Sequence, residues 1–161
     1  MVSKGYAMMK APRSESNPAR ILILDDEHDE RCLLSGLTTY LTRSGYIVLQ
    51  CRSAESAAER LQEENGEIDL LISDVALADS SGVEVCLRLQ SAAPSLKLLF
   101  TAGCPLAEWS AWDAARFHEL PADSVRILQK PFSALDLLLR VDELIGAAPE
   151  AVRTSQAGAL A

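Results

Sequence analysis

The sequence predicts an α/β fold, a doubly wound parallel sheet of five strands with helices on both faces, on three observations. Short aliphatic runs over 21–25, 46–51, 68–74, 96–101 and 125–129 alternate with helix-like stretches over about 29–43, 53–65, 82–92, 105–117 and 133–146, the rhythm of successive β/α units. Runs such as Ile21-Leu22-Ile23-Leu24 and Leu70-Leu71-Ile72 are continuously apolar, as in strands buried on both faces of a parallel sheet. Charged residues close these runs, with Asp25 and Asp26 after the first, Asp74 after the third and Lys130 after the fifth. Parallel sheets gather functional groups at such carboxyl ends.

Each element has its own local reason. Residues 1–18 carry Ser, Asn, Lys, Arg and two prolines without periodicity, and are expected to be a flexible leader closed by Pro18. In the first helix Leu33, Leu34, Leu37, Tyr40 and Leu41 recur at helical spacing opposite Arg31, Ser35, Thr38 and Thr42, and Gly45 marks its stop. The second opens on Ser53, wets Gln62, Glu63 and Glu64, and ends in an Asn65-Gly66 turn. The third starts at Gly82, stacks Val83, Val85, Cys86 and Leu89, and stops before Pro94. For the fourth, Pro105 serves as first residue and Pro121 as terminator. Its stripe of Leu106, Trp109, Trp112 and Phe117 is expected to pack inward on the sheet, with a docking patch as the alternative. The fifth opens on Ser133 with Asp136 three residues on, a capping-box variant, and carries Leu135, Leu138, Leu139, Asp142 and Ile145 before Gly146. Residues 147–161 are expected to be a flexible tail, leaving 19–146 as the folded domain.

Bulk properties narrow the function. With 161 residues, 48% hydrophobic and 24% charged, the chain is one ordinary globular domain. No apolar stretch is long enough to cross a bilayer. A formal net charge of -8 opposes binding to a nucleic-acid backbone. Cys32, Cys51, Cys86 and Cys104 form no C-x-x-C pair, and Cys51 and Cys86 read as small buried hydrophobes in a reducing compartment. The opening residues lack a signal peptide's apolar core. A cytoplasmic location is expected.

The acids at the strand ends suggest the chemistry. Three carboxylates, Thr101 and Lys130 would share one rim, and carboxylates crowded at one place make sense mainly around a divalent cation. A magnesium-dependent phosphoryl site follows. His28 and His118 are expected to be surface residues, and Glu27 to serve the helix dipole rather than a metal.

Four motifs in order, Leu-Asp25-Asp26-Glu27, Leu-Ile-Ser-Asp74 with Gly82 eight residues on, Leu-Phe-Thr101-Ala102-Gly103 and Leu-Gln-Lys130-Pro131-Phe132, resemble the receiver domain of bacterial two-component response regulators. The resemblance covers roughly residues 19 to 146. It implies a flavodoxin-like sheet of order 2-1-3-4-5 and a phosphoacceptor role for Asp74. It also implies a Mg2+ (or Mn2+) site made by Asp25, Asp26, Asp74 and the Ala76 backbone carbonyl. Thr101, Ala102 and Lys130 would bind the phosphoryl group and carry the switch, and Pro131 would follow a cis bond. The implied partners are a sensor histidine kinase or histidine phosphotransfer protein and a downstream protein target, with a homodimer allowed. Output is then expected by protein contact, without a DNA-binding effector domain, and the chain acts as a switch rather than a turnover enzyme.

Departures from the family pattern carry their own expectations. Ala76 and Gly103 are small where longer side chains are common, which would let water reach an acyl phosphate. Ala78 replaces a common proline, and Ile127 stands where an aromatic usually reports the switch. The 104–124 segment is lengthened. A magnesium-dependent phosphohydrolase with an aspartyl nucleophile is disfavoured because position 76 is not an acid. A docking module that is never phosphorylated is disfavoured because Asp26, Asp74, Thr101 and Lys130 are all present.

Overall fold

The computed structural model describes residues 17–26 and 33–148. Nearly all of the expected leader and tail lie outside the described residues, as do Glu27, His28 and Cys32. Five strands, β1 (Arg20–Leu24), β2 (Ile47–Cys51), β3 (Leu70–Asp74), β4 (Lys97–Ala102) and β5 (Val125–Gln129), alternate with helices α1 (Leu33–Arg43), α2 (Ala54–Glu63), α3 (Gly82–Ala92), α4 (Ala111–Glu119) and α5 (Ala134–Ile145). All pairings are parallel, in the order β2-β1-β3-β4-β5.

The continuously apolar strands feed two cores because successive side chains point to opposite faces. Leu22, Leu24, Leu71, Leu98 and Phe100 join one cluster with the α2, α3 and α4 residues Leu61, Val83, Cys86, Leu89 and Phe117. Ile21, Ile23, Leu70, Ile72 and Leu99 join the other with Leu37 and Leu41 of α1 and Leu137, Val141 and Leu144 of α5. Each such fully buried aliphatic contributes about 1.5–3 kcal/mol relative to exposure. Ala148, at the edge of the expected tail, is packed into the second cluster.

Local signals fix the boundaries. Ser53 caps α2 in a reciprocal pair with Ser56, and Ser133 caps α5 with Asp136. Asn65 (φ 53°) and Gly66 (φ 73°) make the left-handed turn after α2. Tyr46, 3% exposed, holds the last turn of α5 by a bifurcated bond from its hydroxyl to Asp142 Oδ1 (2.5 Å) and the Gly146 carbonyl (2.9 Å).

Two expectations are corrected. The single helix over 105–117 is instead a 3₁₀ turn at Leu106–Glu108 followed by α4. Pro105 precedes the short turn, Trp109 is extended (φ -67°, ψ 160°), and Ser110 starts α4 by accepting the Asp113 N–H. The apolar stripe of α5 is also different, because Leu137, Val141 and Leu144 are buried while Leu135 and Leu139 are 58% and 53% exposed.

Candidate functional site

The acids expected at the strand ends are brought to one rim. Asp74 ends β3 beside β1, whose carboxyl end leads into Asp25 and Asp26. The Asp25 N–H donates to the Cys51 carbonyl (3.0 Å), which ties the turn after β1 to the end of β2. Thr101, 8% exposed, lies directly opposite Asp74 in the β3–β4 register, and Ala102 is buried beside it. Lys130 follows β5. Its N–H donates to the Ala102 carbonyl (2.8 Å), anchoring it to β4, and the Lys130–Pro131 peptide is cis.

The charges are already paired. Lys130 Nζ forms an ion pair with Asp74 Oδ2, with side chains 37% and 24% exposed, while Asp74 Oδ1 accepts the Ala76 N–H at 3.2 Å. The Asp26 carboxylate accepts the Ala78 N–H across the gap between the two loops. The loop after β3 is closed despite lacking proline at 78. Ala76 and Ser81 form an antiparallel bridge, Leu77 N–H reaches the Ser80 carbonyl (3.2 Å), and Gly82 N–H reaches the Val75 carbonyl (2.7 Å).

That closure brings Gly82 onto the backbone of Asp74. A Cβ at position 82 would stand 1.8 Å from the Asp74 carbonyl oxygen and 3.0 Å from Ser73 Oγ. Buried Ser73 in turn donates to the same carbonyl at 3.0 Å. A cleft of about 270 Å³ opens beside Asp26, walled in part by Arg52, Leu77, Glu84 and Arg88.

Asp25, Asp26, Asp74 and the Ala76 carbonyl are all oxygen donors at the carboxyl ends of the neighbouring strands β1 and β3 or in the turns just after them, a set that suits Mg2+ or Mn2+. Among the described residues no three His, Cys, Asp or Glu side chains are drawn together tightly enough to hold an ion. Asp26 is turned to the Ala78 amide and Asp74 to Lys130. The donor chemistry therefore fits the metal, with two of its carboxylates engaged elsewhere.

The lengthened segment divides its two tryptophans. Trp109, 8% exposed, stacks edge-on with Phe100 (6.3 Å) and Phe117 (5.6 Å) and donates its indole N–H to the Cys104 carbonyl (3.3 Å). The inward packing expected for both holds for Trp109 only. Trp112 is 46% exposed, with the Arg116 guanidinium 5.5 Å above its ring. His118 is an exposed residue whose ring lies edge-on to Phe117. The Glu27 and His28 expectations fall outside the described residues.

One contact near the site escaped the sequence reading. Ser81, the N-cap of α3, donates its hydroxyl to Asp113 Oδ1 of α4. Both ends sit in Ser-x-x-acid capping patterns, Ser81 with Glu84 and Ser110 with Asp113, so each cap was legible; that they meet depends on how α3 and α4 pack.

The comparisons with known proteins agree with this fold. The family model for the response regulator receiver domain matches residues 21–142. The response regulator receiver protein CpdR of Brucella abortus (strain 2308) is 32% identical over 129 residues, 80% of this chain and 98% of that one. The sensor kinase CckA of the same organism is 30% identical over 131 residues, 81% of this chain but 13% of CckA. Among solved structures, the CckA receiver domain is 28% identical with a TM-score of 0.59, covering 78% of this chain and 99% of that one. A receiver protein from Sinorhizobium medicae WSM419 is 26% identical with a TM-score of 0.64, covering 82% and 98%. With its five parallel strands in the order 2-1-3-4-5 and this match over most of its length, the chain belongs to the response regulator receiver domains of two-component systems.

Proposed function

We propose that the unit formed by residues 19–146 is a phosphoacceptor switch, and that Asp74 takes a phosphoryl group from a phosphohistidine on a sensor histidine kinase or histidine phosphotransfer protein. The observation that carries this reading is the Lys130–Asp74 ion pair on a rim where Thr101 stands opposite Asp74 one strand away. An Asp74 oxygen attacks the phosphorus, an O–P bond forms as the N–P bond breaks, and the departing imidazole nitrogen is left to take up a proton. Lys130 and the Thr101 hydroxyl then neutralise charge on the transferred group, the main help a protein gives to such a transfer.

Asp25, Asp26, Asp74 and the Ala76 carbonyl would hold Mg2+ or Mn2+, which when bound supplies charge neutralisation to the phosphoryl oxygens. Asp26 engages the Ala78 amide through Oδ2, which leaves Oδ1 as the oxygen that would take part. Phosphorylated Asp74 gains negative charge that Lys130 follows, a local event able to bias the surrounding loops. The output in this reading is contact with a downstream protein in the cytoplasm, and turnover of substrates is not part of it.

The test is intact-mass analysis after incubation with Mg2+ and acetyl phosphate. A single phosphoryl addition is expected in the wild type and none in Asp74→Asn. Equal labelling of Asp74→Asn, or sustained phosphate release from unrelated esters, would overturn the assignment.

A further inference from the structure

We infer that the Ser81–Asp113 hydrogen bond is the mechanical link by which the Asp74 loop moves α4, so that the exposed face of α4 bearing Trp112 reports the state of the site. The inference rests on the phosphoacceptor reading above and names how that same site is read out.

The argument runs along bonded atoms. The loop from Val75 to Ser81 is short and closed on itself by the Ala76–Ser81 bridge and the Gly82–Val75 bond, so a displacement at one end is passed to the other. At its start Asp74 Oδ1 holds the Ala76 amide, and in its middle Asp26 holds the Ala78 amide. Both holding groups are the carboxylates that phosphorylation and metal binding would claim. At its end Ser81 accepts the Val83 N–H (3.1 Å) and Glu84 N–H (3.4 Å) and donates to Asp113 Oδ1. Asp113 Oδ2 accepts the Ser110 hydroxyl at 2.8 Å, and Ser110 Oγ accepts the Asp113 N–H at 3.0 Å. Asp113 therefore joins the first turn of α4 to the first turn of α3.

β5 carries no aromatic side chain that could act as a second conductor. Ile127, the residue on β5 opposite Phe100, is aliphatic, and it has no ring that could change place as Thr101 moves. The aromatic side chains of this region, Phe100, Trp109 and Phe117, are stacked together in the core. They brace the base of α4, while its first turn is held through Asp113. Movement of that turn would shift Trp112, half-exposed and one residue from Asp113.

The test compares wild type with Asp113→Ala, which cuts the link while leaving Ser81 to cap α3 and Ser110 to cap α4. Ser110→Ala serves as control, because it removes both Ser110 bonds to Asp113, the α4 cap included, and spares the link. Each protein is treated with Mg2+ and acetyl phosphate, labelling is quantified by mass, and α4 is followed by tryptophan emission and by amide hydrogen exchange over residues 111–119. A Trp112→Phe variant assigns the emission change. The expected result is that all proteins are labelled at Asp74, that wild type and Ser110→Ala change emission and exchange on labelling, and that Asp113→Ala loses most of that change. Should Asp113→Ala fail to fold, Ser81→Gly cuts the link from the other side with a residue still accepted at an N-cap.

A labelled Asp113→Ala or Ser81→Gly that responds like wild type would overturn the inference, as would a labelled wild type with no α4 response. A wild type that takes no label overturns the phosphoacceptor reading and this inference with it.

Discussion

Replacing Gly82 by alanine tests whether the backbone of the loop, and not only its side chains, sets the position of Asp74. The new Cβ would lie 1.8 Å from the Asp74 carbonyl oxygen and 2.9 Å from its carbonyl carbon. Reaching ordinary van der Waals contact requires the two chains to part by about 1.5 Å, and no rotamer can absorb this because the obstacle is main chain. The Gly82 N–H to Val75 carbonyl bond (2.7 Å) spans the same gap, so parting lengthens or breaks it. Overpacking of this kind costs about 1–3 kcal/mol and the lost hydrogen bond about 1 kcal/mol. Alanine's better helix propensity at the first residue of α3 returns about 1 kcal/mol. The net expectation is a loss of about 2 kcal/mol, which lowers the urea midpoint by about 1 M for a chain of this size. Displacing the Asp74 backbone on this scale also moves its carboxylate relative to Lys130, and a misplacement of about 1 Å can cost about 100-fold in rate. Urea unfolding followed by circular dichroism and the rate of acetyl phosphate labelling check both parts. Unchanged midpoint and unchanged rate together would refute the steric reasoning.

Other outcomes follow from the described geometry. Burial pushes the Cys51 thiol up to about 12 from 9.0, and pushes Cys86 higher still. The folded state thus holds these thiols neutral where the unfolded chain ionises, so their contribution to stability is whole below pH 9 and is lost as pH rises from there through the folded values. Between pH 8 and 10 the loss should be about 1 kcal/mol per thiol, and urea titrations of wild type and Cys51→Ala should show a shallower decline in the variant. Alkylation at pH 8 with peptide mapping should mark half-buried Cys104 before Cys51 or Cys86. Tyr46→Phe removes the bond to Asp142 and Gly146 and should destabilise by about 1–2 kcal/mol without altering the labelling of Asp74, as seen by urea unfolding and intact mass. A Cβ at Gly103 would meet nothing within 4 Å, so Gly103→Met should fold normally and lengthen the lifetime of the aspartyl phosphate several-fold. An unchanged lifetime would show that water reaches the acyl phosphate by another route.

The three inner strands β1, β3 and β4 were legible because they are buried on both faces. A run such as Ile21-Leu22-Ile23-Leu24 has few other homes, and the observed β1 starts and ends one residue earlier than expected. The third helix matched over 82–92 because Gly82 at its start, the Val83/Val85/Cys86/Leu89 set and Pro94 all agree. The face of α5 was not legible, since Leu135, Leu137, Leu138 and Leu139 surround the helix and periodicity cannot choose among them. Its placement over β4 and β5 decides in favour of Leu137, Val141 and Leu144. Likewise Pro105 and the spaced aromatics described a helix, while the core claimed Trp109 and so broke that helix before Ser110. In the site, the chemistry of each residue could be read where its strand ends. That Lys130 reaches Asp74, and that Asp26 holds the Ala78 amide, depends on strand order and loop course, which no local pattern records.

The pinning of Tyr46 to the last turn of α5 has an architectural outcome. Helix α5 runs back to the amino-terminal edge of the sheet, so Ala148 packs on the side opposite Asp74, separated from it by a five-residue strand, a span of about 16 Å. The last turn of α5 is therefore out of contact with the Asp74 carboxylate. Any change at Asp74 must reach that turn as a change in the shape of the intervening protein.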